Sequence, residues 1–88
     1  MKLIIRQEFR KDLKRYKKLK KSTSDIWKIV KLIQSGKPLP GNLKAKRLRK
    51  PYDAFFGCHV QADLILIYRL DANSLTLYRF GTHQELFD

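Results

Sequence analysis

The chain has 88 residues and a formal net charge of +12, with 20 lysine and arginine residues against eight acidic ones. This length predicts a single domain, residues 1–88. The charge excludes the mixed-sign surface that is usual for a small domain, whose net charge is about 2–8. No stretch approaches the ~20 apolar residues of a membrane span, the N-terminus has no signal peptide pattern, and one cysteine excludes an internal disulfide. We therefore expect a soluble, cytoplasmic protein with no membrane contact.

The charges are divided unevenly along the chain. Residues 1–50 contain 18 cationic and three acidic side chains, whereas residues 51–88 contain two cationic and five acidic ones. Both histidines lie in the second part. Such an asymmetry indicates a polyanionic partner such as nucleic acid, an anionic surface or an acidic protein. The alternative is a lysine-rich surface that serves solubility alone.

The first predicted elements are a short strand over residues 3–6 and a helix over residues 7–21. Apolar residues three and four apart form one stripe of this helix. The stripe consists of Phe9, Leu13, Tyr16 and Leu19. Glu8 and Asp12 lie in the first turns, where carboxylates suit the helix dipole.

A second helix follows the polar residues 22–25, which break the first helix and can cap the next. Its predicted buried stripe contains Ile26, Ile29, Val30 and Ile33, with Trp27 at the edge. Ser35 and Gly36 end this helix, and the prolines beyond them prevent its continuation. Two helices with a short loop between them predict an antiparallel helical hairpin.

A basic connector over residues 41–51 leads to three predicted strands, residues 52–60, 63–70 and 75–80. Residues 63–70 are apolar on both faces, as expected of a central strand. Residues 71–74 form a turn, and residues 83–87 a short tail with about one helical turn. The predicted fold class is α+β: an N-terminal strand and a helical hairpin packed on one face of a mostly antiparallel four-stranded sheet. The other face is left for function.

Four polar side chains are predicted to converge where these strands end: His59, Asp63, Arg79 and His83. Histidine titrates near ~6.5 and can give or take a proton at neutral pH, while arginine can hold phosphate oxygens. Phe87 could stack on a base. Together they suit RNA cleavage, although each histidine alone is more often an ordinary polar group. The spacing does not match a zinc site, and Cys58 is predicted to be buried rather than a nucleophile.

Two blocks of the sequence carry a family resemblance. Residues 57–69 contain H-x-x-x-D followed by an apolar strand, and residues 79–87 read R-F-G-T-H-Q-E-L-F. They resemble YafQ-type toxins of the RelE/ParE superfamily, from bacterial type II toxin–antitoxin systems, and the likeness covers essentially the whole chain. The resemblance implies a RelE-like fold and a ribosome-dependent endoribonuclease that cuts mRNA in the A site without a metal or other cofactor. It also implies a cognate acidic antitoxin. The toxin would bind operator DNA only as part of its complex with this antitoxin.

The resemblance also implies roles for individual residues. His83 is the leading candidate for proton transfer, with His59 and Asp63 as a second acid–base pair or as groups that orient the nucleotide. Arg79 would stabilise the phosphate charge, and Phe87 would position a base. Relatives often carry a further histidine in the connector, where this chain has Lys46. Lysine near ~10.4 is a poor base at neutral pH, but it can hold a phosphate or act as an acid.

The cationic half would bind ribosomal RNA and the messenger. The predicted binding residues are Lys14, Lys17, Lys18, Lys21, Lys44, Lys46, Arg47, Arg49 and Lys50. Two other functions remain open: a ParE-like inhibitor of a topoisomerase, and a catalytically inactive module that binds RNA or the antitoxin. The histidine and aspartate set favours cleavage, whereas the lysine in the connector keeps the inactive module possible.

Overall fold

The structure, a computed structural model, describes residues 1–19, 23–61 and 63–87. Its strands are β1 (Lys2–Ile5), β2 (Lys46–Arg47), β3 (Phe56–Gln61), β4 (Leu64–Asp71) and β5 (Ser74–Gly81). Its α-helices are α1 (Gln7–Lys18), α2 (Ser24–Gln34) and α3 (His83–Phe87), and a 3₁₀ turn spans Gly41–Leu43. None of the helices in the part of the chain described is long and apolar enough to cross a membrane.

Helix α1 follows its predicted stripe only in part. Phe9 and Tyr16 are buried, but Leu19 is 58% exposed and lies just past the end of the helix. Asp12, whose place in the first turns was predicted to suit the helix dipole, is buried on the same stripe. The last predicted helical residues, 20 and 21, lie outside the described residues.

Helix α2 agrees with the prediction. Ile26, Val30 and Ile33 are buried, and Trp27 lies at the edge of the stripe. The ring of Trp27 meets that of Phe9 edge-on at 6.1 Å, so the two helices pack through aromatic contact.

The sheet has five strands, in the order β1-β5-β4-β3-β2. The predicted four-stranded sheet was therefore one strand short, because Lys46 and Arg47 pair with Gly57 and Phe56. A two-residue charged strand has no alternation of apolar residues to reveal it. Strand β1 runs parallel to β5, and the other neighbouring strands are antiparallel.

Two predicted strand limits change. The first strand of the meander was expected from Tyr52, but residues 50–54 form a turn and β3 starts at Phe56. His59 therefore lies inside β3, which continues to Gln61. The predicted turn over residues 71–74 and the predicted central strand are both confirmed, since β4 lies between β3 and β5.

Residues of β4 face two hydrophobic clusters in alternation. Leu66 and Tyr68 pack with α1 and α2 in the larger core, while Ile65 and Ile67 belong to a smaller cluster on the opposite face. Each fully buried large apolar side chain contributes about 1.5–3 kcal/mol. The face opposite the two helices, predicted to be open, is thus partly covered by the connector and α3. What remains open is a cleft between them.

Candidate active site

The cleft lies between the connector and α3, over the outer face of β3 and β4, and has a volume of about 480 Å³. Gly57, His59 and Ile65 line it from the sheet, and His83 and Phe87 from α3. The connector contributes Lys44, Lys46, Arg47, Leu48, Arg49 and Lys50. The cleft thus combines two imidazoles, an aromatic ring and a rim of cations.

The capped N-terminus of α3 fixes the position of His83. Thr82 and Glu85 form a capping box: the Glu85 N–H donates to Thr82 Oγ1 at 3.2 Å, and the Thr82 N–H donates to Glu85 Oε1 at 2.8 Å. The His83 N–H donates to Asp63 Oδ1 at 3.3 Å. The imidazole packs at 4.9 Å from the ring of Phe87, one turn later. These contacts fix the helix and leave the imidazole exposed.

His59 reaches the same cleft from β3. It pairs with Ile65 of β4, which lies on the outer face. The pairing of β3 with β4 skips Val60, so the strand is irregular just after this histidine. His59 also borders a second cleft of about 220 Å³, lined by Asn42, Leu43, Lys44, Val60 and Gln61. The imidazole is therefore half-buried between two openings.

Asp63 and Arg79 do not line the large cleft. Asp63 lies in the turn between β3 and β4, and its carboxylate serves the start of α3. Arg79 donates from Nε and Nη2 to the two carboxylate oxygens of Asp12, each at 3.1 Å. The hydrogen bond to Asp12 raises the pKa of Arg79. The structure thus brings four predicted residues together in the cleft, His59, His83, Phe87 and Lys46. The other two lie outside its lining, Asp63 against the start of α3 and Arg79 against Asp12.

The predicted cationic residues fall into two groups. Those of the connector form the rim of the cleft, while Lys14, Lys17 and Lys18 are exposed on α1. Lys21, which belongs to the same prediction, lies outside the described residues. The cleft can therefore attract an anion, whereas the α1 lysines can only serve a partner at a second surface.

Cys58 is inert where the structure places it. Its side chain is fully buried in the core below the sheet, and desolvation raises the pKa of the thiol to about 11. The prediction of a buried structural cysteine is confirmed. Among the residues described, no group of three histidine, cysteine, aspartate or glutamate side chains is placed to bind a metal ion.

Sequence reasoning missed three residues that build the site. Asp12 binds Arg79, the Tyr52 hydroxyl donates to the Leu86 carbonyl at 2.8 Å, and Glu85 caps α3. The capping box could have been found from the spacing T-x-x-E over residues 82–85. The acid at position 12 was also visible, since it lies three residues after Phe9 and four before Tyr16 on the apolar stripe.

Comparison with known proteins agrees with this geometry. The sequence model of one family, described as the bacterial toxin of type II toxin–antitoxin system, YafQ, matches residues 1–88. The mRNA interferase toxin YafQ of Escherichia coli BL21-DE3 is 35% identical over 81 residues, which are 91% of this chain and 88% of that protein.

Two solved structures give the same result. The crystal structure of YafQ from Escherichia coli BL21(DE3) superimposes with a TM-score of 0.91 at 30% identity, covering 98% of this chain and 97% of that one. The toxin in the E. coli DinJ-YafQ complex gives a TM-score of 0.87 at 32% identity, with 98% and 97% covered. The resemblance stated from the two sequence blocks, and the RelE-like fold class, are both confirmed.

Proposed function

This chain belongs to the YafQ family of bacterial toxins from type II toxin–antitoxin systems, and we propose that it is an endoribonuclease that cuts messenger RNA in the ribosomal A site. The name of its E. coli relatives, mRNA interferase toxin, supports the class of activity. The placement of His59 and His83 on one cationic cleft is the observation that carries the proposal.

The two imidazoles supply the proton transfers that RNA cleavage needs. One takes the proton of the ribose 2′-hydroxyl, whose oxygen attacks the adjacent phosphorus. The other gives a proton to the 5′-oxygen as the bond from phosphorus to that oxygen breaks. The products are a 2′,3′-cyclic phosphate and a 5′-hydroxyl. An imidazole nitrogen can accept or donate a proton, so either ring can serve in either role, and we assign the principal transfer to His83.

The remaining cleft residues bind and orient the substrate. Lys46 and its cationic neighbours on the connector neutralise phosphates, and the charge that develops in the transition state is stabilised most when the donors are already in place. Phe87 offers an aromatic surface on which a base can stack. Arg79 reaches the phosphate from the border of the site, and Asp63 acts by fixing the start of α3.

We assign two macromolecular partners to the surfaces outside the cleft. The exposed Lys14, Lys17 and Lys18 of α1 form a cationic surface suited to ribosomal RNA. A cognate acidic antitoxin is supported by the solved complex of the E. coli relative with DinJ. Adding the antitoxin should raise the melting temperature of this chain, since a ligand of the native state stabilises it.

Two observations favour a second function, that of an inactive module that binds RNA or the antitoxin. Arg79 already has a carboxylate partner, and Lys46 stands where the family resemblance led us to expect a histidine. A module of this kind would bind the ribosome and the antitoxin without cutting RNA. Mapping RNA ends separates the two functions.

The test uses purified ribosomes programmed with a defined message, so that a known codon occupies the A site. We expect the parent chain to produce fragments ending in 2′,3′-cyclic phosphate and 5′-hydroxyl, and to cut the same RNA poorly without ribosomes. His83→Ala should cut at least about 100-fold more slowly, since general acid–base catalysis contributes about 10²–10⁴-fold.

Gln84→Ala is the matched control, because Gln84 is the exposed neighbour of His83 on α3. It should cut at the parent rate. In cells without antitoxin, His83→Ala and Arg79→Ala should each relieve growth arrest while still binding the antitoxin. Cleavage at the parent rate by a chain lacking both imidazoles, or fast cutting of free RNA, would contradict the proposal.

A further inference from the structure

Asp12 is a buried carboxylate whose place in the helix is unusual. It lies on the apolar stripe of α1 and is 3% exposed. Removing a charge from water is costly unless the charge is paired and hydrogen-bonded. Asp12 meets this condition, because it accepts from both Nε and Nη2 of Arg79 and from the Phe80 N–H at 3.0 Å. Its partners lie 67 and 68 positions away in the chain.

The end of β1 explains why a carboxylate is needed there. Pairing of β1 with β5 stops at Ile5 and Leu77, and α1 starts two residues later. The later residues of β5 therefore have no strand on that side, and the Phe80 N–H points toward α1. Asp12 takes the position that a strand carbonyl would otherwise fill. It holds the part of β5 that carries Arg79.

A bulge in β5 adds to this arrangement. The pairing with β4 skips Tyr78, since Ile67 pairs with Arg79 and Tyr68 with Leu77. Leu77 and Phe80 can therefore both be buried in the main core, although they are three residues apart. Bulges of this kind redirect a neighbouring side chain. Arg79 is thus re-aimed by the backbone and then held by Asp12.

The contact with Asp12 leaves part of the guanidinium available. Arginine has five N–H donors in a planar fork, and Asp12 engages one on Nε and one on Nη2. The other three are on Nη1 and the far side of Nη2. The Arg79 side chain as a whole is 27% exposed, so it is not sealed from a ligand. Asp12 therefore fixes the orientation of the arginine and leaves three of its five donors for another acceptor.

The same carboxylate is connected to α3. Asp12 Oδ1 lies 3.6 Å from Arg15 Nη2, and that nitrogen lies 3.1 Å from Glu85 Oε2. Glu85 is the residue that closes the capping box of α3. One buried carboxylate thus contacts the arginine of the site and is linked through Arg15 to Glu85, which caps the helix of His83.

We propose that Asp12 is a positioning residue for RNA cleavage, which holds the Arg79 guanidinium with its free edge toward the scissile phosphate. This inference rests on the proposed function. It assigns to α1 a role in the reaction itself, in addition to its role in the core. A merely structural Asp12 would affect the folded fraction but not the rate of the folded protein.

The first test compares the cleavage rates of Asp12→Asn and the parent on ribosomes that carry one defined codon in the A site. Each rate is corrected for the folded fraction of the protein. We expect kcat to fall about 10- to 100-fold, as is typical when a reacting group is misplaced, with little change in KM. Asp71→Asn is the matched control, because it removes an exposed carboxylate that pairs with Arg69 at 3.4 Å. That control should keep the parent kcat.

The second test is a double-mutant cycle with Arg79→Lys, which keeps a cation beside Asp12 but removes the fork. Arg79→Lys should melt near the parent temperature and lose kcat by a similar factor. Adding Asp12→Asn to it should change kcat little further, because Asp12 acts through the arginine. Equal effects of Asp12→Asn in both backgrounds would overturn the inference.

The outcomes separate this inference from the proposed function. No cleavage by the parent chain would reject the proposed function. Cleavage by the parent together with parent-like kcat in Asp12→Asn would reject only the role of Asp12. If Asp12→Asn does not fold, Arg79→Lys decides, since a parent-like kcat in that variant would overturn the need for a fixed fork.

Discussion

The Tyr52 hydroxyl donates a 2.8 Å hydrogen bond to the Leu86 carbonyl, and so joins the turn at the end of the connector to α3. The ring of Tyr52 also meets that of Phe87 edge-on at 5.4 Å. The connector and α3 form opposite sides of the cleft, and the two bonded residues are 34 positions apart along the chain. The width of the cleft therefore depends on a tyrosine that lies outside the catalytic set.

Replacing Tyr52 should show how much its hydrogen bond to Leu86 contributes to the stability of the fold. Tyr52→Phe retains the ring but leaves the Leu86 carbonyl without its buried donor, which costs about 1 kcal/mol. For a domain of this size the melting temperature should fall by about 4–8 °C. Thermal unfolding followed by circular dichroism gives the value.

Tyr78→Phe is the control for this change. Tyr78 stacks on Phe55 at 4.8 Å, and its hydroxyl makes no hydrogen bond to any residue that the structure describes. Its melting temperature should remain near that of the parent. Equal melting temperatures for the two variants would mean that the Tyr52 hydroxyl does not support the cleft.

The parts of the fold that follow local periodicity could be predicted from the sequence. The stripe of α2 is apolar at helical spacing, and β4 is apolar on both faces, so each could be placed without knowledge of its neighbours. The predicted strand ends and tail then pointed to His59, His83 and Phe87, the family resemblance added Lys46, and the cleft contains all four. Local pattern and motif were sufficient for this much.

What could not be predicted depends on long-range contacts. Asp12 was assigned to the helix dipole because its partners, Arg79 and the Phe80 N–H, are distant in sequence. Strand β2 was missed because its two charged residues are held only by pairing with β3. The pairing of Arg79 with Asp12 could not be predicted either, since a strand position does not reveal which carboxylate will bind the side chain.

Glu85 should make the stability of the protein depend on pH in the acidic range. Hydrogen bonding to the Thr82 N–H, followed by the charge of Arg15, lowers the pKa of Glu85 below its ordinary 4.5. A carboxyl group whose pKa is lower in the folded state than in the unfolded state stabilises the protein at pH values above the unfolded-state pKa. This stabilisation is lost as the pH falls through the folded-state pKa. Melting curves below about pH 5 should show the parent losing more stability than Glu85→Gln.

Thr82→Ala provides the comparison for this titration. It removes the hydroxyl that accepts from the Glu85 N–H, and loss of such a cap costs about 1 kcal/mol. The melting temperature should therefore fall at neutral pH as well as in acid. Parallel pH curves for the parent and Glu85→Gln would show that the ionised carboxylate adds nothing to the cap.

Cys58 should resist thiol reagents in the folded protein. The thiol is fully buried and its pKa is raised to about 11, so little thiolate is present or accessible at neutral pH. Iodoacetamide followed by mass spectrometry should show labelling only after denaturation. Cys58→Ala should retain cleavage of ribosome-bound mRNA. Rapid labelling of the native protein, or loss of cleavage in a folded Cys58→Ala, would revive the thiol as a nucleophile.

The connector cations should contribute separately to binding of single-stranded RNA. Each phosphate neutralised by a protein cation changes the slope of log K against log salt by about 0.7 for single strands. Lys46→Gln and Arg49→Gln should each reduce the slope by about that amount, measured by fluorescence anisotropy with an RNA whose scissile 2′-hydroxyl is absent. Lys37→Gln is the control, because Lys37 is exposed but lies outside the cleft. If all three variants give the parent slope, the rim of the cleft does not contact the RNA backbone.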